Sequence, residues 1–133
     1  MIPILLDTCA WIWLASDRKR LSPAATEAIE GAGRGERLHL SAISCWEVAK
    51  LVEKGRLAFK VPVREWLPRA LALPGLQLEE LSPEICLAST ELPGEFHGDP
   101  ADQILVATAR HLGAALVTPD RRIRAYPHVP SLW

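Results

Sequence analysis

Five carboxylic acids carry the chemistry that this sequence can do: Asp7, Glu47, Asp99, Asp102 and Asp120. With 16 Asp and Glu among 133 residues the chain is not enriched in acids, so their placement is the signal. Asp7 ends the apolar run Ile4 to Leu6, and Glu47 comes shortly after the run Leu38 to Ser41. Asp120 follows Ala114 to Val117, and Asp99 and Asp102 open the apolar stretch Ile104 to Ala109. If the short runs are strands and the intervening segments helices, all five acids belong at one edge of one sheet. Carboxylates gathered there with no Lys or Arg between them repel one another and persist mainly when protons or a metal neutralise them. Hard oxygen donors select Mg²⁺ or Mn²⁺, and the chemistry of such ions at a phosphate is phosphodiester hydrolysis.

Each acid also has a plainer use. Ser44-x-x-Glu47 has the form of a capping box. Asp99 before Pro100 is a natural helix N-cap, and Asp102 three residues on suits the helix dipole. Asp120 after Thr118-Pro119 fits a turn, and Asp7 fits the cap of a first helix. A binding module whose acids only cap helices is therefore the alternative to a catalytic site.

The elements that must position these acids follow from apolar patterning. Ile4 to Leu6 is apolar at every position, as expected of a strand buried on both faces. A short helix over Ala10 to Leu14 leaves it, and Arg18, Lys19 and Arg20 make a basic turn. Ser22-Pro23 opens a second helix, with Gly31, Gly33 and Gly35 ending it in a flexible loop. Leu38 to Ser41 is a second strand. A third helix is expected from Ser44 to about Lys54, where Gly55 stops it. Val63 to Leu73 is helical, with Pro68 either a kink or the true first turn. Leu76 and Leu78 mark a third strand, with Leu81 an optional extension. Ser82-Pro83 opens a helix to about Glu91, and Asp99-Pro100 opens a buried one closed by Gly113. Ala114 to Val117 is a fourth strand, and a weak fifth is expected near Val129. The alternation predicts one α/β domain over residues 1–133: a four- to five-stranded parallel sheet with helices on both faces. Ligands in such sheets sit at the carboxyl ends of the strands, near a topological switch point.

The bulk numbers exclude several classes. A net charge of −1 gives no global electrostatic grip on nucleic acid and leaves such contacts to local patches. Cys9, Cys45 and Cys86 form no CxxC pair, which argues against zinc and for reduced thiols in a cytoplasmic protein. The N-terminus lacks a basic leader region, and no run of about 18 apolar residues exists, so neither a signal peptide nor a membrane span is expected. Ser41 and Ser44 lack a nucleophile-elbow context, and no Gly-rich phosphate loop is present. His39, His97, His111 and His128 are scattered; His97, two residues before Asp99, reads first as a polar loop residue. Asp7-Thr8-Cys9 lacks the Asp-x-Asp of haloacid dehalogenase phosphatases, and the acidic pair and late Lys of a receiver domain are missing.

The segments LLDTCAWIW, SAISCWEVAKL, HGDPADQILVATA and LVTPDRRIRAY, in this order and at these distances, resemble a PIN-domain ribonuclease, and more narrowly the VapC-type toxins of bacterial toxin–antitoxin pairs. The resemblance spans about residues 3 to 126. It implies a three-layer α/β/α sandwich, Mg²⁺- or Mn²⁺-dependent cleavage of RNA, a small cognate antitoxin and a homodimer. It places the four family acids on Asp7, Glu47, Asp102 and Asp120, with Asp99 either a further metal ligand or an acid behind the ligands. Thr8 and Thr118 match its small hydroxyl residues beside the acids. Lys50, Arg121 and Arg122 border the acids and are candidates for RNA-backbone contacts. Trp11, Trp13, Trp46 and Trp66 are expected mostly in the core, with one or two lining a groove for an antitoxin helix.

Overall fold

The computed structural model describes residues 2–133. Five strands alternate with helices: β1 (Ile4–Leu6), α1 (Thr8–Ser16), α2 (Pro23–Arg34), β2 (Leu38–Ser41), α3 (Ala42–Glu53), α4 (Val63–Leu71), β3 (Leu76–Glu79), α5 (Pro83–Ser89), α6 (Pro100–Leu112), β4 (Ala115–Val117), α7 (Arg121–Arg124) and β5 (Ser131–Leu132). The strands form one all-parallel sheet in the order β3-β2-β1-β4-β5.

Alternation along β1 explains the two helical layers. Ile4 and Leu6 point into one core with Trp11, Ile29, Val48 and Trp66; Leu5 points into the other with Leu105, Val106 and Ile123. The first core is rich in rings. Trp11 is fully buried and its indole N–H donates to the Ala70 carbonyl at 3.0 Å, so its polar atom is not stranded. Phe59 stacks on Trp66 at 4.0 Å. Losing a ring of this kind from a core typically costs about 3–5 kcal/mol. The second core rests on α6, which Asp99 caps, Pro100 starts and Gly113 ends in the left-handed region at φ 64°.

Sheet order decides where a site can form. The chain winds outward from β1 through β2 to β3, then returns to lay β4 on the other side of β1. That reversal opens a crevice at the carboxyl ends of β1 and β4, where Asp7 and Thr118 stand.

Several expectations are corrected locally. The second helix runs through Gly31 and Gly33 to Arg34, because Ala25, Ile29 and Ala32 give it a buried stripe; Gly35 alone ends it. The third helix starts at Ala42, capped by Ser41, so Glu47 lies in its second turn and Ser44 is not its capping-box partner. Pro68 is interior to α4. The residues read as a basic turn after Asp120 form the helical turn α7, and the fifth strand lies beyond Val129, which is buried in the second core. Trp11 and Trp66 are core; Trp13 is half-buried against Trp133, and Trp46 is 54% exposed.

Candidate active site

Asp7 follows β1 directly and caps α1. Its Oδ1 accepts the Ala10 N–H at 2.7 Å, and its Oδ2 accepts the Thr118 hydroxyl at 2.5 Å. The residue is only 6% exposed. Burial pushes its carboxyl up from 3.8 to about 6; the bonds to Thr118 and Ala10 pull it down, and the charges of Asp102 and Glu47 push it up further. Thr118 is itself held, since its Oγ1 accepts the Asp120 N–H at 3.0 Å. The β4 end therefore grips both Asp7 and the loop that carries Asp120.

The other acids approach from three different helices. Glu47 reaches over from α3, and its Oε1 accepts the hydroxyl of Thr8, which lies 2.9 Å from Ser44 Oγ. Its carboxyl is raised, first by burial, against the lowering bond from Thr8, with the charges of Asp102 and Asp99 adding to the rise. Asp102 lies in the first turn of α6, and its Oδ2 sits 2.7 Å from His97 Nε2. A carboxylate only accepts, so this contact places a proton on Nε2. The His97 ring packs on Phe96 at 4.2 Å, and the His97 carbonyl accepts from Gln103 Nε2 at 3.1 Å. Burial raises the Asp102 carboxyl, the His97 bond lowers it, and Asp99 and Asp120 raise it again. Asp120 caps α7 through Oδ1, which accepts the Arg122 and Ile123 N–H groups at 2.8 and 3.3 Å.

Asp7, Glu47, Asp102 and Asp120 line a single cleft of about 370 Å³, with Thr8, Cys9, Ile12, Leu51, Leu105 and Pro119 completing its wall. Capping and cleft-lining are compatible here, because Asp7 and Asp120 each cap a helix through Oδ1 and still line the cleft. Among the described residues no three acid, His or Cys side chains converge on one point at metal-ligand distance. Each carboxylate is turned instead toward a protein donor. The donor set still fits a hard divalent cation: it is all oxygen, largely desolvated, and its acids raise one another's pKa values.

The residues match the PIN domain model over positions 4–129. They are 38% identical over 128 residues to Ribonuclease VapC22 of Mycobacterium tuberculosis (strain ATCC 25618 / H37Rv), covering 96% of this chain and 95% of that one. The chain belongs to the PIN-domain family. Solved structures agree on the fold. VapBC2 from Rickettsia felis, bound to a DNA fragment from its promoter, superposes with a TM-score of 0.73 at 19% identity, covering 99% of this chain and 98% of that one. A toxin-antitoxin complex from Klebsiella pneumoniae gives 0.63 at 22% identity, with 95% and 94% covered.

Within this PIN domain, the sequence-predicted residues fall into three groups. Asp7, Glu47, Asp102 and Asp120 meet in the cleft with Thr8, and Thr118 is buried behind Asp7. Asp99 does not line it: it is exposed, and its Oδ1 caps α6 by accepting the Asp102 N–H at 3.0 Å. Lys50 pairs with Glu53 at 3.1 Å on the solvent side of α3, and Arg121 is exposed on α7. Arg122 corrects the expectation of a cluster without cations. Its Nη2 stands 3.8 Å from both Asp102 Oδ2 and Asp120 Oδ2. His97 is likewise more than a loop residue. Its signal in sequence was its place just ahead of the Asp99-Pro100 cap, from which a ring can fold back over the first helical turn. Cys9 also lines the cleft, with a thiol that burial and the neighbouring Asp7 charge push up to about 12.

Proposed function

We propose that this PIN domain is a metal-dependent endoribonuclease that hydrolyses phosphodiester bonds in RNA and acts as the toxin of a toxin–antitoxin pair. The observation that carries the reading is Asp7. A buried carboxylate at the switch point of the sheet, facing three others in one cleft, is costly unless a cation is brought to it. The resemblance to a VapC ribonuclease along nearly the whole chain supports RNA as the substrate.

In this reading Asp7, Asp102 and Asp120 hold Mg²⁺ or Mn²⁺, with Asp99 at the rim, and Glu47 faces them across the cleft. When bound, the ion supplies Lewis acidity at a phosphoryl oxygen and eases the deprotonation of water. The chain's own residues supply position. Thr118 and the Ala10 N–H fix Asp7, Thr8 fixes Glu47, His97 fixes Asp102, and the N-terminus of α7 fixes Asp120. Ile12, Leu51 and Leu105 wall the cleft with apolar surface, which strengthens every charge interaction inside it. Arg121 and Arg122 on α7, with Lys50 further out, guide the RNA backbone. A homodimer and a small antitoxin complete the assembly. The toxin–antitoxin complexes among its structural neighbours favour the antitoxin as partner, and the exposed Trp46 is the ring best placed to meet another chain.

The test is cleavage of structured RNA by purified protein with Mg²⁺ or Mn²⁺, with chelator, and by Asp7→Asn. Chelator and Asp7→Asn should each remove activity, the variant by a factor on the order of 10³, a loss of the size seen when key electrostatic stabilisation is removed. Asp7→Asn protein that cuts RNA as well as the parent ends this reading and leaves Asp7 and Asp120 as helix caps only. A rise in melting temperature on adding Mn²⁺ separates the two readings independently, since caps gain nothing from the ion.

A further inference from the structure

We infer that Arg122 is an exchangeable counter-cation of the acid cleft: it competes with the divalent ion for Asp102 and Asp120 and moves to an RNA phosphate when the ion takes its place. The inference rests on the metal-dependent ribonuclease reading and assigns a residue that regulates the same site.

The geometry is that of a loose, shared contact. One guanidinium nitrogen, Nη2, stands 3.8 Å from an oxygen of each of two carboxylates. That is charge proximity without the bidentate fork by which Arg holds a carboxylate firmly. The side chain is 63% exposed, against 16% and 31% for its two partners. The acids are therefore fixed while the cation is free to leave. What fixes them is independent of the guanidinium. His97 orients Asp102, and the backbone N–H groups of Arg122 and Ile123 hold Asp120 Oδ1, so its Oδ2 remains directed at Nη2.

A fixed backbone and an exposed, loosely held side chain are thus combined in one residue. The Arg122 backbone is fastened to Asp120 at 2.8 Å, and its exposed side chain reaches from α7 to within 3.8 Å of two of the cleft's acids. A positive charge spread between two acids partly neutralises them in the metal-free protein. A divalent ion does so better and repels the guanidinium, which then faces outward where a phosphodiester backbone would approach. An arginine that releases acids to a metal and binds the substrate phosphate couples the two events: RNA draws Arg122 away, and the ion then binds more tightly.

The experiment measures Mn²⁺ binding by calorimetry without RNA, and cleavage of a short RNA at saturating Mn²⁺. The proteins are the parent, Arg122→Gln, Arg122→Lys, and Arg124→Gln as a charge-matched control on the same helical turn. Arg122→Gln should bind Mn²⁺ several-fold more tightly, with Arg122→Lys close to the parent. The same Arg122→Gln should raise KM for RNA by about tenfold with kcat changed less, and reduce the salt dependence of RNA binding by about one phosphate contact. Mn²⁺ binding by Arg122→Gln that is unchanged or weaker, while the parent binds Mn²⁺ and cuts RNA, overturns the counter-cation role and spares the ribonuclease reading. Equal tightening by Arg124→Gln overturns it too, as a bulk charge effect. A parent that neither binds Mn²⁺ nor cuts RNA brings down the ribonuclease reading and this inference together.

Discussion

Two concavities lie at opposite ends of the strands. At the carboxyl ends is the acid cleft of about 370 Å³. The other, about 430 Å³, lies at the amino ends of β2 and β3, where Leu38 begins its strand and Leu73-Pro74 lead into theirs. The second is larger, and Leu14, Leu21 and Ile29 make it apolar, with Arg18, Arg34 and Glu30 at its edges. What it lacks is conflict. None of its charged residues is buried, and each can face water. The acid cleft forces like charges together out of water, and three of its carboxyls titrate high as a result. Strain among polar groups, more than volume, marks the candidate functional site.

The largest expected effect tests that strain directly. The Asp7 carboxyl sits at about 6 in the folded protein against an ordinary 3.8, so the folded state binds the extra proton. The stability this group contributes is complete below pH 3.8 and is lost as pH rises through 6, at a total cost of up to about 3 kcal/mol. Asp7→Asn keeps the shape and removes the charge; its amide can donate to Thr118 Oγ1. In chelator at pH 8 the variant should be more stable than the parent by about 1–3 kcal/mol, and the gap should close toward pH 4. Denaturant melts at the two pH values measure it. A variant no more stable than the parent at pH 8 would mean that the cleft carries no strain and does not differ from the amino-end cavity.

A smaller effect is expected at Thr118, which holds Asp7 from behind. Thr118→Val keeps the buried shape of the side chain but removes the hydroxyl that serves Asp7 and receives the Asp120 N–H. Residues that orient metal-site acids in this way are typically worth about 10–100-fold in metal affinity or activity. The Mn²⁺ concentration for half-maximal RNA cleavage should rise by about that factor. An unchanged requirement would show that the hydroxyl only fills space.

The same contrast explains what could be read in advance. Asp7, Asp102 and Asp120 were legible because a strand end or a helix start fixes where a short side chain stands. The parallel sheet was legible because Ile4 to Leu6 and Ala115 to Val117 are apolar at every position. Glu47 was placed at the right edge for the wrong local reason. Ser41 and Ser44 are both capable caps, and choosing between them needed the length of β2. Sequence position puts Arg122 beside the acids, but its bridge between two of them depends on side-chain torsions that no spacing encodes. His97 required knowing that the loop ahead of α6 folds its ring onto the Asp102 carboxylate. The amino-end cavity left no trace in sequence at all, because it is what remains between α1, α2 and the approach to β3 after packing.

The smallest effect concerns that cavity. Gly33, read from sequence as part of a flexible loop, is helical in α2 and lines the cavity wall. A Cβ at this position would lie 3.6 Å from the Pro74 carbonyl oxygen, an ordinary contact. Gly75 opposite is different: its φ is 78°, and a Cβ there would run into the Gly33 backbone. One of this glycine pair is required by geometry and the other is not. Gly33→Ala should therefore stabilise the protein by about 0.5 kcal/mol, through the lower entropy of its unfolded chain, whereas Gly75→Ala should destabilise it. Urea midpoints decide both. RNA cleavage by Gly33→Ala should match the parent, because nothing in that wall is charged, buried and unsatisfied. A loss of cleavage in a more stable Gly33→Ala protein would make the amino-end cavity part of the working site, and would break the division between the two ends of the sheet.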